Sequence, residues 1–232
     1  MLKPDVIVVQ PTHCDFPLFR YHLQKYRNYY NKIMVSFHEG HHSRNYTSFM
    51  TQALEAIEVT CLGVIATQTD WRHDCIHAAL PHTESNNILF LEQDVIMHEN
   101  FEPALKKIGK LDDCVVGFGC KTGRLHPAFL FVPRKTVTAN TYFGTGEGFD
   151  HFGAFTAELI NSDIKFIDLE EIVPSESWEH LQGLTNNYSI LNSGGVPNWQ
   201  LERFIEYNKR ILQLEIEVDP GFLELIKKGA NL

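Results

Sequence analysis

Two carboxylates that directly follow an apolar run are the residues of this sequence best suited to chemistry. Glu92 and Asp94 come after Ile88-Leu-Phe-Leu91, a run typical of a strand buried on both faces. Side chains two residues apart on an extended backbone share one face, so both carboxylates would point the same way. Such a pair suits a hard divalent cation, Mg²⁺ or Mn²⁺, that keeps water and phosphate oxygens as further ligands. A solvated acidic turn at the end of a strand is the alternative interpretation.

Strands that alternate with helices would position this pair. Apolar runs and helical spacings predict strands over 6–10, 32–37, 59–62, 88–91, 115–118, 129–132 and 164–169, and helices over 16–30, 46–57, 71–80, 99–108, 149–160, 198–212 and 220–228. The alternation predicts a three-layer α/β sandwich with a mainly parallel central sheet, and it is lost after Trp178. Ligands of such sheets bind outside the carboxyl ends of the strands, so the residues after Gln10, Phe37 and Leu91 are expected to carry the chemistry.

The stretch from residue 71 to residue 95 resembles the nucleotide-sugar-dependent glycosyltransferases of the GT-A fold. In that family, a helix with a pattern like Arg-Asn-x-Gly-Ile-x-x-Ala precedes a buried strand that ends in a metal-binding Asp-x-Asp. Here the chain reads Arg72-His-Asp-Cys-Ile-His-Ala-Ala79 and then Ile88-Leu-Phe-Leu-Glu-Gln-Asp-Val95. The first carboxylate is therefore Glu and not Asp, and His and Cys stand where the family has Asn and Gly. The resemblance covers roughly residues 5–100 well and the C-terminal half loosely.

The resemblance implies a Rossmann-like GT-A sandwich and a division of the chain. Residues 1–178 would form the catalytic domain that binds a nucleotide-diphosphate sugar, with the acceptor side from about residue 115 on. Residues 179–232 would form a helical C-terminal extension packed on the same domain.

The resemblance also implies roles for the residues that match its motifs. Asp94 would bind Mn²⁺ or Mg²⁺ directly, and Glu92 would bind sugar hydroxyls or metal-bound water. Arg72 would lie near the diphosphate, where a guanidinium suits phosphate oxygens. Glu39 would contact the base or ribose of the donor. An exposed helix-start arginine, paired with a neighbouring aspartate, is the alternative interpretation of Arg72.

The second half of the chain offers candidates for the general base and for a third metal ligand. Asp150 is the first candidate for the general base and Glu147 the second, and both lie in a Gly-rich, acidic segment before a predicted helix. An inverting enzyme needs a carboxylate there to take the acceptor proton. A helix N-cap is the alternative role of Asp150. His180 falls where some members of the fold place a histidine on the metal, and an imidazole would favour manganese. An ordinary partly buried histidine is the alternative. The basic loop 121–127 would touch phosphate or an anionic acceptor, or form a solvated turn.

Composition limits the classes of partner. Among the 232 residues, 44% are hydrophobic and 21% charged, which is typical of a globular protein. The formal charge of −9 disfavours non-specific binding to nucleic acid or anionic membranes. Five cysteines without a Cys-x-x-Cys, no signal peptide and no apolar run long enough to cross a bilayer predict a cytoplasmic protein. The acceptor, which would be a sugar, a lipid-linked sugar or a small molecule, is not specified.

Three other functions remain open at this point. The sequence His38-Glu-Gly-His-His42 fits the zinc hydrolase signature His-Glu-x-x-His, but that signature requires a helix and here follows a predicted strand. A nucleotidyltransferase would share the predicted fold, but the segment after the first strand lacks the Gly-rich basic loop that holds a nucleoside triphosphate. A module that binds sugar or nucleotide without catalysis is the third alternative.

Overall fold

A computed structural model of the protein describes residues 3–9, 16–38, 44–64, 71–118, 125–144, 153–180, 184, 187–191, 196–214, 218 and 220–231. Its strands are β1 (Asp5–Val9), β2 (Ile33–His38), β3 (Thr60–Val64), β4 (Asn87–Leu91), β5 (Val95–Met97), β6 (Cys114–Phe118), β7 (His126–Pro133), β8 (Lys165–Asp168) and β9 (Trp178–His180). Its helices are α1 (Phe16–Tyr26), α2 (Arg44–Glu55), α3 (Trp71–Ala79), α4 (Glu102–Ile108), α5 (Gly153–Ile160), α6 (Leu169–Ile172), α7 (Asn187–Ile190), α8 (Asn198–Gln213) and α9 (Pro220–Gly229).

The central sheet has seven strands in the order β3-β2-β1-β4-β7-β6-β8. Strands β1 to β4 are parallel to one another, and β6 is parallel to β8. Strand β7 is antiparallel to both of its neighbours, β4 and β6. The predicted α/β architecture with a mainly parallel sheet is therefore confirmed. The carboxyl ends of β1 to β4 lie at one edge of the sheet, and β7 begins at that same edge because it runs the opposite way.

Alternate residues of each central strand face two different cores. Val6, Val8, Leu89 and Leu91 point to one side, where α1, α2 and α4 cover the sheet. The intervening residues of the same strands, Ile7, Ile88 and Phe90 among them, face α3 and α5 on the other side. All five residues of β4 are buried, which explains why its last four, Ile88–Leu91, form a continuous apolar run and not an alternating one. The sheet between two helical layers is the predicted three-layer sandwich.

The structure differs from the sequence prediction mainly where elements are short. The helix expected over 16–30 ends at Tyr26 and continues as a 3₁₀ turn to Tyr29. The helix expected over 99–108 begins as a 3₁₀ turn, and its α-helical part starts at Glu102, directly before a proline suited to the first turn. The strand expected over 164–169 ends at Asp168, whose carboxylate caps α6 by accepting from the Glu170 N–H. Strands β5 and β9 were not predicted, because three residues are too few to show a periodicity.

Helices α8 and α9 belong to a third apolar cluster near the C-terminus. Phe204 and Ile211 of α8 and Phe222 of α9 are buried there together with Leu18 of α1 and Ile96 of β5. The C-terminal helices thus pack on elements of the N-terminal half. Among the described residues, none of the helices is both long enough and apolar enough to cross a membrane.

Candidate metal centre

The two candidate carboxylates lie at the carboxyl edge of the sheet, in the turn that joins β4 to β5. The Glu92 N–H donates to the carbonyl oxygen of Ala128 on β7 (2.9 Å), which continues the β4–β7 pairing by one residue. The Val95 N–H donates to the Glu92 carbonyl oxygen (3.3 Å) and closes the turn over residues 92–95. Both ends of the turn are therefore anchored, and the side chains of Glu92 and Asp94 are placed by the sheet.

His180 comes to this turn from a distant part of the sequence. Strand β9 pairs antiparallel with β5, and the register sets His180 opposite Val95. The imidazole Nε2 lies 3.3 Å from Glu92 Oε2 and 3.3 Å from Asp94 Oδ1. The His180, Asp94 and Glu92 side chains are 14%, 13% and 27% exposed, so the group is sheltered but open to solvent. Three residues that the sequence predicted as metal ligands are thus brought together.

The donor set of this triad fits a divalent cation. One ligand atom from each residue lies within 4.8 Å of the others, and this is the group of that kind found within the described residues. Neighbouring ligands around an octahedral cation with bonds of about 2.1 Å stand about 3 Å apart, close to the observed separations of 3.3 Å. Two carboxylates suit magnesium or manganese, and the imidazole favours manganese.

The electrostatics of the triad also favour a positive charge at its centre. Burial alone would lower the pKa of His180, but hydrogen bonds to Asp94 and Glu92 outweigh that effect and raise the pKa to about 9. Without a metal, the imidazolium therefore offsets one of the two negative charges of the carboxylates. A metal bound through this nitrogen must displace the proton, because only the neutral imidazole can be a ligand.

A second histidine, which the sequence placed only in a basic loop, lies beside the triad. The His126 ring packs edge to face against His180, with the ring centroids 4.9 Å apart. Its Nδ1 accepts a hydrogen bond from the Ala128 N–H (3.1 Å), which leaves Nε2 as the protonated nitrogen of the neutral ring. The signal in the sequence was its position directly before the apolar run of β7, at the same edge of the sheet as Glu92.

Strand β9 carries different residues on its two faces. Trp178 and His180 share one face of the strand. The Trp178 ring stacks on the Phe118 ring, with the ring centroids 3.7 Å apart and an interplanar angle of 22°. Glu179 points the other way, toward Arg203 and Arg210 of α8. Sequence reasoning missed this arginine pair, because charged residues on a helix face are usually solvated and these contacts join distant segments.

Arg72, the predicted diphosphate-binding residue, lies at the same edge of the sheet. It is half-buried in the first turn of α3. One turn later, the Cys75 carbonyl oxygen accepts a hydrogen bond from Ser36 Oγ (2.9 Å), near the carboxyl end of β2. The start of α3 therefore lies beyond the carboxyl ends of the parallel strands, while Arg72 is not one of the three residues of the triad.

Three predicted site residues lie outside the described part of the chain: Glu39, Glu147 and Asp150. The segment before the last two is anchored to α3. The Phe143 N–H donates to His73 Nδ1 (3.3 Å), and His77 Nε2 lies 2.8 Å from the Thr141 carbonyl oxygen. Residues 141–143 therefore lie beside the helix that carries Arg72.

The zinc hydrolase signature is placed in the wrong secondary structure. His38 is the last residue of strand β2, where it pairs with Val64 of β3. The signature needs both histidines on one face of a helix. The rest of the motif, residues 39–42, lies outside the described residues.

Comparison with known proteins gives similarity in structure only. No protein-family profile matches the sequence, and no curated protein sequence matches it. Among solved structures, the mannosyltransferase PcManGT of Pyrobaculum calidifontis, in complex with GDP-Man and Mn²⁺, is similar over 98% of this chain and 69% of its own, with a TM-score of 0.56 and 13% identity. Two structures of TarS from S. aureus match as well. The full structure covers 89% of this chain and 43% of its own (TM-score 0.53, 12% identity), and residues 1–349 cover 91% and 72% (TM-score 0.52, 10% identity). The chain therefore has the Rossmann-like GT-A fold that its sequence resemblance implied.

Proposed function

We propose that the protein is a metal-dependent glycosyltransferase that moves a sugar from a nucleotide-diphosphate sugar to an acceptor. The observation that carries the proposal is the triad of Glu92, Asp94 and His180 at the carboxyl edge of the sheet. Ligands of open α/β sheets bind at that edge, and cation-binding side chains there suit a substrate with two phosphates. The fold supports the same conclusion, since PcManGT was solved with GDP-Man and Mn²⁺.

In this proposal each residue has a stated task. Asp94 and Glu92 hold the cation, His180 completes the site, and Arg72 binds a phosphate oxygen of the donor. A bound Mn²⁺ or Mg²⁺ would stabilise the negative charge that develops on the diphosphate leaving group as the glycosidic bond breaks. Because the anchored turn after β4 holds both carboxylates at the edge of the sheet, little reorganisation of them would be needed when the donor binds.

The acceptor side of the proposal concerns the general base and the acceptor itself. If the reaction inverts the anomeric centre, Asp150 or, failing it, Glu147 takes the proton of the acceptor hydroxyl. Glu39 would contact the base or ribose of the donor. The acceptor would be a sugar, a lipid-linked sugar or a small molecule. Residues 1–178 would then be the catalytic domain, and residues 179–232 an extension that contributes His180.

A thermal-shift screen of nucleoside diphosphates and their sugars, beginning with GDP-mannose, tests the proposal. Each ligand is added with Mn²⁺ and with a chelator. A ligand at about 100 times its Kd stabilises a protein by about 2.7 kcal/mol, which for a chain of this length raises Tm by roughly 5–10 °C. We expect one nucleotide to raise Tm only when the metal is present. Asp94→Asn should abolish this shift, whereas Asp163→Asn, in an exposed turn, should retain it.

Turnover separates the proposal from its alternatives. Release of the nucleoside diphosphate from the donor, slow with water and faster with an acceptor, supports a glycosyltransferase. Pyrophosphate release from a nucleoside triphosphate would instead indicate a nucleotidyltransferase. Tight binding of a sugar nucleotide without any hydrolysis or transfer would indicate a binding module. Stabilisation by Zn²⁺ alone, lost in His38→Ala, would point to the hydrolase signature.

A further inference from the structure

Two arginines of helix α8 contact the face of β9 that carries Glu179. Glu179 Oε1 lies 3.1 Å from Arg203 Nη2, and Glu179 Oε2 lies 3.3 Å from Arg210 Nη1. Both oxygens of the carboxylate are thus engaged, each by a guanidinium from a different turn of the same helix. Arg203 Nη2 also donates to the carbonyl oxygen of His180 (3.4 Å), the residue whose side chain reaches the two candidate metal ligands.

Strand β9 needs such support because its own pairing is slight. It has three residues and pairs with β5 in a two-stranded sheet. An isolated two-stranded ribbon is marginally stable at best in water. The stacking of Trp178 on Phe118 fixes one end of β9, and the Ser177 carbonyl oxygen accepts from the His98 N–H (2.9 Å) at that same end. The end that carries His180 is held by pairing to Val95 and by the arginines of α8.

We propose that Glu179 is a positioning residue of the metal centre: through Arg203 and Arg210 it ties β9 to α8 and so fixes the imidazole of His180 against Glu92 and Asp94. The proposal rests on the proposed function, because it assumes that these three residues bind the cation. It adds that helix α8 of the C-terminal extension supports the metal centre through β9. A shift of β9 by one residue would turn His180 to the opposite face of the strand, where it could not reach the carboxylates.

The magnitudes distinguish positioning from general stabilisation. Glu179 is 28% exposed and its partners 42% and 36%, and exposed ion pairs are each worth at most about 1 kcal/mol. Breaking the cluster should therefore lower Tm little. In contrast, loss of a group that hydrogen-bonds a metal-binding side chain typically weakens metal affinity about 10- to 100-fold, and Glu179, which acts through Arg203 and the His180 backbone, is expected at the lower end of that range. A small change in stability together with a large change in metal affinity is the expected signature.

The experiment measures Mn²⁺ binding and its ligand nitrogen in the full-length protein. The Kd comes from calorimetry, the coupling of Mn²⁺ to the ¹⁴N of an imidazole from pulsed electron paramagnetic resonance, and Tm from unfolding in the presence of a chelator. For Glu179→Ala we expect a Kd raised on the order of tenfold, a weakened ¹⁴N coupling and a Tm close to that of the wild type. Glu179→Gln, which keeps the length and one carbonyl oxygen, should be intermediate. Glu206→Ala removes an exposed carboxylate that pairs with Lys209 on the same helix, and should match the wild type.

The outcomes separate this inference from the proposed function. If the wild type binds Mn²⁺ with ¹⁴N coupling and Glu179→Ala retains both affinity and coupling, the positioning role is wrong and the metal site stands. If the wild type binds no Mn²⁺, or binds it without ¹⁴N coupling, the assignment of His180 fails and this inference fails with it. Should Glu179→Ala not fold, Glu179→Gln and Arg203→Met, which keeps the apolar stem of the side chain, provide the same comparison.

Discussion

Two largely buried histidines of this protein have opposite electrostatic environments. His180 faces two carboxylates, whose hydrogen bonds overcome the effect of burial and raise its pKa to about 9. His22 of α1 is 8% exposed and has no hydrogen-bond partner for either ring nitrogen. Burial, first, and the charges of Lys25, His98 and Arg210 lower its pKa to about 3. The same residue type is therefore charged at neutral pH in one place and neutral in the other.

His22 makes a prediction about stability in acid. The unfolded chain binds a proton to this residue below about pH 6.5, whereas the folded protein does not until about pH 3, so its contribution to stability falls as the pH falls between these values. Between pH 7 and pH 4.5 the loss from this residue is about 2–3 kcal/mol. His22→Leu should reduce the difference between urea-unfolding free energies at the two pH values by about that amount. An equal acid loss in variant and wild type would contradict the prediction.

The three candidate metal ligands differ in how they could be predicted from the sequence. Glu92 and Asp94 were predicted because an apolar strand and two acidic residues are contiguous in the sequence. His180 was predicted from resemblance alone, and the structure brings it within 3.3 Å of both. The neighbours that orient it were not predicted, since no local pattern marks Glu179 as different from any exposed glutamate.

At the scale of elements, a buried carboxylate ties together three strands at the edge opposite the candidate site. Asp5 begins β1 and is fully buried. Its Oδ1 accepts from Asn31 Nδ2 (2.8 Å) and from the Lys32 N–H (3.1 Å), just before β2. Its Oδ2 accepts from the N–H groups of Glu84 (2.5 Å) and Ser85 (2.6 Å), just before β4. One side chain thus satisfies backbone donors from both segments that flank β1 in the sheet.

Removal of this carboxylate should destabilise the fold without affecting the site. Asp5→Ala removes the acceptor of three partly buried backbone N–H groups, and each lost hydrogen bond costs about 0.5–1.5 kcal/mol, so we expect a loss of about 2–4 kcal/mol. The midpoint of urea unfolding measures it. Glu84→Ala, which loses an exposed ion pair with Lys32 but keeps the backbone donor, should cost less than about 1 kcal/mol. Under conditions in which all three proteins are fully folded, the Mn²⁺ affinity should be the same in both variants and in the wild type. A weaker affinity in Asp5→Ala would contradict the separation of the two edges of the sheet.

Long strands were predicted from the sequence, whereas the three-residue strands β5 and β9 were not. Strand β4 was predicted to within one residue because four of its five buried positions, Ile88–Leu91, form a continuous apolar run. Strand β5 is also buried, whereas β9 is partly buried, and each has only three residues, which form a ladder only with each other. Their existence depends on the turn after β4 and on the packing of Trp178, and neither is visible in the local sequence.

At the scale of the whole molecule, the C-terminal helices share a core with the N-terminal half. Phe204 and Tyr207 of α8 and Phe222 of α9 are buried against Leu18 and Ile96. Because Ile96 lies in β5, this cluster lies directly behind the strand that pairs with β9. Helix α8 is therefore coupled to the candidate site both by its apolar face and by the arginines that bind Glu179.

This arrangement predicts that the chain unfolds as one cooperative unit. Phe204→Ala removes a side chain that is 1% exposed, and such a deletion costs about 3–5 kcal/mol. We expect far-UV circular dichroism and tryptophan fluorescence to report the same single transition in the variant, shifted equally to lower temperature. Leu201→Ala, at an exposed position of the same helix, should change Tm little. A separate early transition in Phe204→Ala would instead show that the C-terminal helices unfold independently.

The α/β sheet, its buried central strands and the carboxylates at the end of β4 could all be predicted from the amino-acid sequence. These features are local: a strand buried on both faces must be apolar along its length, and the residues that leave it must reach the edge where it ends. The contacts of His180 with Glu92 and Asp94, the position of His126 beside them, and the ion pairs of Glu179 with α8 became visible in the folded structure. Such contacts join segments far apart in the chain through short strands and surface charges, and their formation depends on packing and register that no local pattern encodes.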